Sequence, residues 1–360
     1  MMMTGGRAET HPTESRATSF AEMVSSVRRS VESRLARSLD EAVETARPYG
    51  PDAVAAIDAA RSLAMRGGKR FRPVLVAAAF EACGGSALAS EAVALAGAAI
   101  ELLQVYLLIH DDWMDGDLVR RGGPSVHAML RATYRDDAAG DAAAILAGDY
   151  ASALAQEALA SVPVPAERAV EAARAFARIQ REVITGQLLD MRGAPPGGVE
   201  SMHDLKTGSY TVRGPLAIGA TLAGATVEQR AALDRFAAPL GVAFQLRDDL
   251  LGTFGDPRTT GKPAGNDLRR GKRTALIDAL AGDVEAAPLV ARVLGVPDAS
   301  DADVQALVAR MEASGARARV EERLAHLLAA AERELAAAPL GATGKSWLHG
   351  AVKALGERDS

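Results

Sequence analysis

From Phe20 onward, apolar residues recur at intervals of three and four, the spacing that gathers them along one side of an α-helix. No stretch alternates apolar and polar residues as a half-buried strand would. The pattern predicts helices over residues 20–46, 52–66, 70–83, 88–114, 124–135, 140–160, 164–191, 201–223, 227–252, 274–283, 286–294, 301–313, 316–337 and 344–356. Gly50–Pro51, Gly84–Gly85, Gly122–Pro124, Gly193–Gly198 and Gly255–Gly271 punctuate it. The expected fold is all-α, and the motif positions show no fixed period that would suggest a repeat array. One run, Ala92–Ile109, is apolar over nearly the length of a membrane span. Glu101 and Gln104 interrupt it and aspartates close it, so a buried helix and no membrane span is expected.

Composition narrows the picture further. With 360 residues, 48% of them hydrophobic, the chain can bury a large core. Residues 1–18 are polar and lack the apolar stretch of a secretory signal; they are expected to form a disordered leader ahead of one helical domain over 19–360. A net charge of -5, 4% aromatic content and no long basic run leave no footprint for nucleic acid. The single cysteine, Cys83, excludes an intramolecular disulfide and fits a cytoplasmic location.

Candidate chemistry begins where the long apolar helix ends, in LLIHDDWMDGDLVRRGG from Leu107 to Gly123. Asp111 and Asp115 stand one helical turn apart on one face with Asp112 beside them, a grouping that destabilises an isolated helix. A hard cation such as Mg2+, which takes a few carboxylates together with water and phosphate oxygens, would offset it. The plainer alternative is a solvated acidic helix end; an EF-hand is excluded because Trp113 stands at its third ligand position. A second cluster weakens the plain alternative: in FQLRDDLLG, Gln245 and Asp248 share a helical face and Asp249 is adjacent. In GQLLD, Gln187 and Asp190 also share a face.

The cations form separate groups: Lys69, Arg70 and Arg72 in GGKRFRP; Arg120 and Arg121 after the first aspartates; and Arg258, Lys262, Arg269, Arg270, Lys272 and Arg273 in the loop 253–273. That loop reads either as a solvated connection or as a lid. Gly261–Lys262 is followed by Pro263 and lacks the spacing of a nucleotide-binding loop. Guanidinium groups bind phosphate oxygens in pairs, and lysine adds a compact charge. Acidic groups that gather metal, set beside separate basic groups, describe a site for two diphosphates, one held through metal and one by side chains directly.

The motifs GGKRFRP, ELLQ, DDWMD with RRGG, GQLLD, KTGSY, FQLRDD and GKPAGNDLRRGKRT, in that order from Leu63 to Thr274, resemble those of the trans-polyprenyl diphosphate synthases. Each is weak alone, and the ordered set is specific. The resemblance implies a single-domain isoprenoid synthase bundle around a central cavity, a homodimer, and substrates that are isoprenoid diphosphates. By the same resemblance Asp111, Asp112 and Asp115 bind two Mg2+ ions and Asp248 a third, with Asp249 acting through water, Asp190 supporting the metals, and Mn2+ as an alternative ion. Arg120, Lys206 and Lys262 hold the allylic diphosphate under a basic lid closed by Lys272. Lys69, Arg72, Gln104 and Arg121 hold isopentenyl diphosphate, and Thr207 and Gln245 turn oxygen dipoles toward the developing cation.

Two positions depart from the family pattern. Gln104 stands where many relatives have histidine, and Gly252 replaces the third acidic residue of the second motif, implying weaker support for the third ion with activity retained. Tyr106 and Leu107, five and four residues before Asp111, correspond to the floor that limits product length. At a rise of about 1.5 Å per residue Tyr106 lies about 7.5 Å along the axis from Asp111. One aromatic there implies geranylgeranyl diphosphate (C20) ahead of farnesyl diphosphate (C15), although Tyr106 also reads as a core residue with a bonded hydroxyl. Two other classes fit the sequence less well. A class I terpene cyclase would carry an Asn/Ser/Glu metal motif in place of FQLRDD, and an inactive partner subunit would lose the aspartates that this chain keeps. His110 and His127 are expected to pack rather than to ligate.

Overall fold

The computed structural model describes residues 18–192, 198–255 and 265–357. Helix α1 (Phe20–Ala46) starts at a capping box, in which Ser19 Oγ accepts from the Glu22 amide while Glu22 accepts from the Ser19 amide at 2.8 Å. It buries Met23, Val27, Val31, Leu35, Leu39 and Ala42, the stripe that the sequence period marks out. Helices α2 (Pro51–Met65) and α3 (Phe71–Ala82) follow, then α4 (Glu91–Asp115), the central rod of the bundle. Helix α4 is long and apolar enough to cross a membrane by composition, yet most of it is buried among α1, α3 and α6 (Asp137–Ala160). It stops at Gly116, whose φ of 68° places it in the left-handed region that glycine tolerates.

That stop sets the electrostatic problem of the molecule. Asp111, Asp112 and Asp115 occupy the last turn and a half of α4, the negative end of the helix dipole, where carboxylates are least favoured. Beyond them lies an antiparallel ribbon of two short strands, β1 (Val119–Arg120) and β2 (Gly123–Pro124), not expected from the sequence; α5 (Val126–Tyr134) starts after it.

Opposite α4 stand α7 (Ala166–Arg192) and α10 (Val227–Phe254). Between them the sequence pattern predicts one helix over 201–223, and the structure shows three pieces. These are α8 (Val199–His203), a π-helical run over Asp204–Arg213, and α9 (Gly214–Ala223). Wider turns of this kind are rare and concentrate at functional sites. Close backbone approach accompanies the widening: a Cβ at Gly186 of α7 would lie 2.3 Å from the Lys206 nitrogen. A Cβ at Gly241 of α10 would lie 3.3 Å from Gly208 Cα, a looser but still close approach. Lys206 is thereby held between the GQLLD helix and the FQLRDD helix.

After α10 the described chain resumes at Gly265 with α11 (Asn266–Arg269) and α12 (Ala275–Asp278), shorter than the predicted 274–283. Arg258 and Lys262 of the expected lid, like the leader up to residue 17, lie outside the described residues. Helices α13 (Ala287–Val293), α14 (Asp301–Ala313), α15 (Ala316–Ala337) and α16 (Ala342–Gly356) close the bundle, α15 against α10 and α16 against α3. The described residues are all-α apart from the ribbon.

Candidate active site

Every carboxylate at the end of α4 is matched by cations from elsewhere in the chain. Asp111 Oδ1 accepts from Gln187 Nε2 at 3.1 Å and from Lys206 Nζ at 3.4 Å, and Lys206 also donates to Asp190 of α7. Asp115 Oδ2 pairs with Arg270 Nη1 at 2.9 Å and with Lys272 Nζ at 3.7 Å. Lys272 reaches Asp267 as well, at 3.6 Å. Burial opposes the charge on Asp111, but Lys206, Lys272 and Arg120 outweigh it and hold the carboxyl below its ordinary range. For Asp115, burial and the neighbouring Asp111 win, and its carboxyl is pushed up. Burial also opposes the charge on Lys272. The surrounding Asp267, Asp111, Asp115 and Asp190 more than offset it, so the ammonium is held above its usual range. This lysine stands electrostatically between the acids of α4, α7 and the α11 segment.

Two residues of the acidic motifs, Asp112 and Asp249, are buried. Asp112 is fully buried; its Oδ1 accepts from Arg120 Nε at 2.7 Å and its Oδ2 has no partner among the described residues. It is the internal counter-ion of Arg120, which also lies 3.4 Å from Asp117, and its carboxyl is pushed up by burial. Asp249 likewise turns inward: Oδ1 accepts from Gln245 Nε2 at 2.8 Å and Oδ2 from the Ala275 amide at 3.3 Å. It fastens the start of α12 to α10, and burial pushes its carboxyl up to about 7. Asp248, one residue earlier, is half-buried. Thr207 lies half-buried on the π-helical run beside Lys206.

The second basic group gathers from three segments. Arg72 Nη2 donates to Thr211 Oγ1 at 2.8 Å, its guanidinium lies 4.3 Å over the Tyr210 ring, and its buried Nε has no partner among the described residues. Arg121 Nη1 donates to the Gly67 carbonyl at 3.0 Å, and Lys69 of the same loop is exposed. Gln104 is half-buried on α4. Arg70, counted with these cations in the sequence, belongs elsewhere. It is 3% exposed and bonded to Glu101 at 2.6 Å, Glu32 at 3.2 Å and the Ala64 carbonyl at 3.0 Å. Its φ of 49° turns the chain so that Lys69 and Arg72 leave the loop around an inward guanidinium. Glu101 was visible in the sequence only as an interruption of an apolar run. Thr211, Tyr210 and Asp117 carried no signal beyond their nearness to motifs, and Arg270 none beyond its place in a basic loop.

Further along α4, Tyr106 packs edge-on against His110 with ring centroids 4.7 Å apart. The His110 ring is bonded to the Ile145 carbonyl of α6 at 3.1 Å. Tyr106 and Leu107 are both half-buried against the core.

Among the described residues no three carboxylate, imidazole or thiol groups converge as a complete protein cage for a metal. Mg2+ does not need one, because it keeps water and takes substrate phosphate oxygens with one or two carboxylates. Asp111 and Asp115, with side chains 21% and 20% exposed, offer hard oxygen donors on one helical face, so the donor set fits that ion.

The polyprenyl synthetase family model matches residues 55–311. A geranylgeranyl diphosphate synthase of Mycobacterium tuberculosis is 37% identical over 276 residues, covering 73% of this chain and 74% of that protein. A geranylfarnesyl diphosphate synthase of Aeropyrum pernix is 38% identical over 59% of this chain, and the match spans 65% of its own length. Among solved structures, a Corynebacterium glutamicum geranylgeranyl pyrophosphate synthase complexed with isoprenyl diphosphate and magnesium superposes with a TM-score of 0.86 at 34% identity. It covers 93% of this chain and 99% of its own. With ordered motifs, an all-α bundle and a family match over most of its length, the chain belongs to the polyprenyl synthetase family.

Proposed function

We propose that the chain condenses isopentenyl diphosphate with an allylic diphosphate, in a Mg2+-dependent trans-prenyl transfer that yields geranylgeranyl diphosphate. The observation that carries this is the division of the cations. Lys206, Arg270 and Lys272 face the acids of α4, whereas Arg72 and Arg121 form a separate basic group on the α3 side. A cyclase working on one diphosphate has no use for the second group.

Asp111, Asp115 and Asp248 would hold the metal ions, which supply positive charge to the leaving diphosphate when bound. Lys206, Lys272 and Arg120, with Lys262 from outside the described residues, grip the same diphosphate. Lys69, Arg72, Gln104 and Arg121 bind isopentenyl diphosphate, with the unpartnered Arg72 Nε available to a phosphate oxygen. As the allylic C–O bond breaks, these groups bind the developing negative charge more strongly than the ground state, which lowers the barrier. The Thr207 hydroxyl and the Gln245 carbonyl oxygen face the cation. The double bond of isopentenyl diphosphate then attacks, and the departing diphosphate accepts the proton lost from the new bond, so no paired His/Asp base is needed. The lid expected over 253–273, part of which lies outside the described residues, would exclude the water that quenches the cation.

Tyr106, wedged on His110, sets the floor for a C20 product. An exposed apolar stripe of Leu146 and Tyr150 on α6 with Ile184, Leu188 and Met191 on α7 fits a second copy of the chain. Incubation of purified protein and Mg2+ with labelled isopentenyl diphosphate and dimethylallyl, geranyl or farnesyl diphosphate tests the reading. A C20 product from each starter supports it, and C15 would assign the farnesyl synthase alternative. A cyclic hydrocarbon without isopentenyl diphosphate, or activity that requires a second kind of chain, would refute it. Sedimentation at twice the chain mass tests the dimer.

A further inference from the structure

The two loops that carry the second basic group are laced together by a pair of arginines. Arg66 ends α2 and points its guanidinium beneath the β1–β2 ribbon, where Nη1 donates to the Arg120 carbonyl at 3.0 Å and to the Pro124 carbonyl at 2.6 Å. Its Nη2 lies 3.3 Å from Ser62 Oγ, within its own helix, and 3.4 Å from the Met129 sulfur. In return Arg121, from the ribbon, donates to the Gly67 carbonyl at 3.0 Å. Each loop therefore supplies a guanidinium to the backbone of the other. Gly123 leaves the passage open, because a Cβ there would stand 2.8 Å from Arg66 Cζ and 2.9 Å from its Nη1.

We propose that Arg66 is a positioning residue for the isopentenyl diphosphate socket, fixing the ribbon so that Arg121 is aimed beside Lys69 and Arg72. The inference rests on the assignment of that socket under Proposed function. The two adjacent ribbon arginines are anchored asymmetrically. Arg120 has its own anchors in Asp112 and Asp117, and needs little from Arg66. Among the described residues Arg121 has no carboxylate within hydrogen-bond or ion-pair distance. It sits at a left-handed φ of 51°, and its aim depends on the ribbon staying against the Gly67 loop. Removing Arg66 leaves the carbonyls of Arg120 and Pro124 without that donor and frees the ribbon to shift. The loss falls on the diphosphate held by side chains, while the one held through the acids of α4 keeps its grip.

Kinetics and calorimetry on Arg66→Met, Arg66→Lys and Gly123→Ala separate this from general damage. Arg66→Met should raise KM for isopentenyl diphosphate about tenfold, the scale of losing charge-assisted hydrogen bonds, with KM for the allylic substrate within about twofold of wild type. Arg66→Lys should fall between, because one ammonium cannot reproduce the planar fork. Gly123→Ala keeps Arg66 but crowds its passage, and should weaken isopentenyl diphosphate in the same direction. It tests the idea even if Arg66→Met folds poorly. Titration of isopentenyl diphosphate without allylic substrate reads affinity independently of turnover. Unchanged affinity in both Arg66→Met and Gly123→Ala, or equal rises in both KM values, would overturn the inference. A wild-type protein that binds isopentenyl diphosphate but elongates nothing would overturn the proposed function instead, leaving the affinity comparison to judge Arg66.

Discussion

Asp249→Asn should abolish a specific pH dependence of stability, and the size of the effect can be worked from its surroundings. Asp249 is 5% exposed, inside the contact between α10 and α12, and burial lifts its pKa to about 7 from the ordinary 3.8 of an aspartate. The folded state therefore keeps a proton that the unfolded chain has lost between those two values. Stability falls as pH rises wherever the folded state binds more protons. The sign is fixed: the contribution is fully present below about pH 4, declines through the interval, and is gone above about pH 7. Each pH unit in the window is worth about 1.4 kcal/mol, so between pH 5 and pH 8 the wild type should lose about 3 kcal/mol through this group.

Asparagine cannot ionise, and it can keep both contacts. Its Oδ1 can accept from the Ala275 amide while its Nδ2 donates to Gln245, provided the Gln245 amide rotates to present oxygen. Urea unfolding at pH 5 and pH 8, with chelator present so that metal binding at the adjacent Asp248 does not intrude, reads the difference. The variant should gain on the wild type by about 3 kcal/mol between the two pH values. A wild-type-to-variant difference that is the same at both would refute the argument, and with it the claim that Asp249 folds as a largely neutral clasp.

The other predictions concern charge and space within the bundle. Lys206→Met removes a donor to the allylic diphosphate and the partner of Asp111 and Asp190; kcat should fall by about 10²–10³ in a single-turnover assay, and a change under threefold would remove Lys206 from the leaving-group site. Tyr106→Ala opens the space beside His110, and chromatography should show products longer than the wild type's; an unchanged chain length would take Tyr106 out of the floor. Glu101→Gln leaves the buried Arg70 guanidinium with Glu32 as its one charged partner among the described residues, and unfolding free energy should drop by about 3 kcal/mol; a loss under 1 kcal/mol would mean Glu101 contributes little there.

What was legible in the sequence follows from what periodicity and spacing encode. The stripe of α1, the buried length of α4 and the one-face pairing of Asp111 with Asp115 are local in the chain, so an unaided helical wheel places them. The ribbon after α4 and the π-helical run were not legible, because both depend on partners far away. The ribbon is stitched by Arg66, and the run lies where Gly186 and Gly241 bring two other helices onto its backbone. For the same reason a single charge could not be assigned its direction. Arg70 and Arg72 are two residues apart with identical side chains, yet one faces Glu101 in the core and the other Thr211.

Gly252 shows the same limit from the other side. Counted along the chain, it deletes a carboxylate from the second acidic motif. In space, the carboxylate oxygen of Asp267 lies 3.0 Å from where a Cβ at position 252 would stand, and Lys272 pairs with that acid and with Asp115. A Cβ at 252 would ask the end of the Asp267 side chain to give by only a few tenths of an ångström, so this acid, delivered from α11, lies directly against the position. The negative charge that a motif comparison scores as missing is present beside α10, carried by a residue fifteen positions later. Aspartates at the end of α10 thus need not number three for the region to hold its charge, because what a diphosphate meets is the distribution of carboxylates and ammonium groups in the cavity, not their order in the sequence.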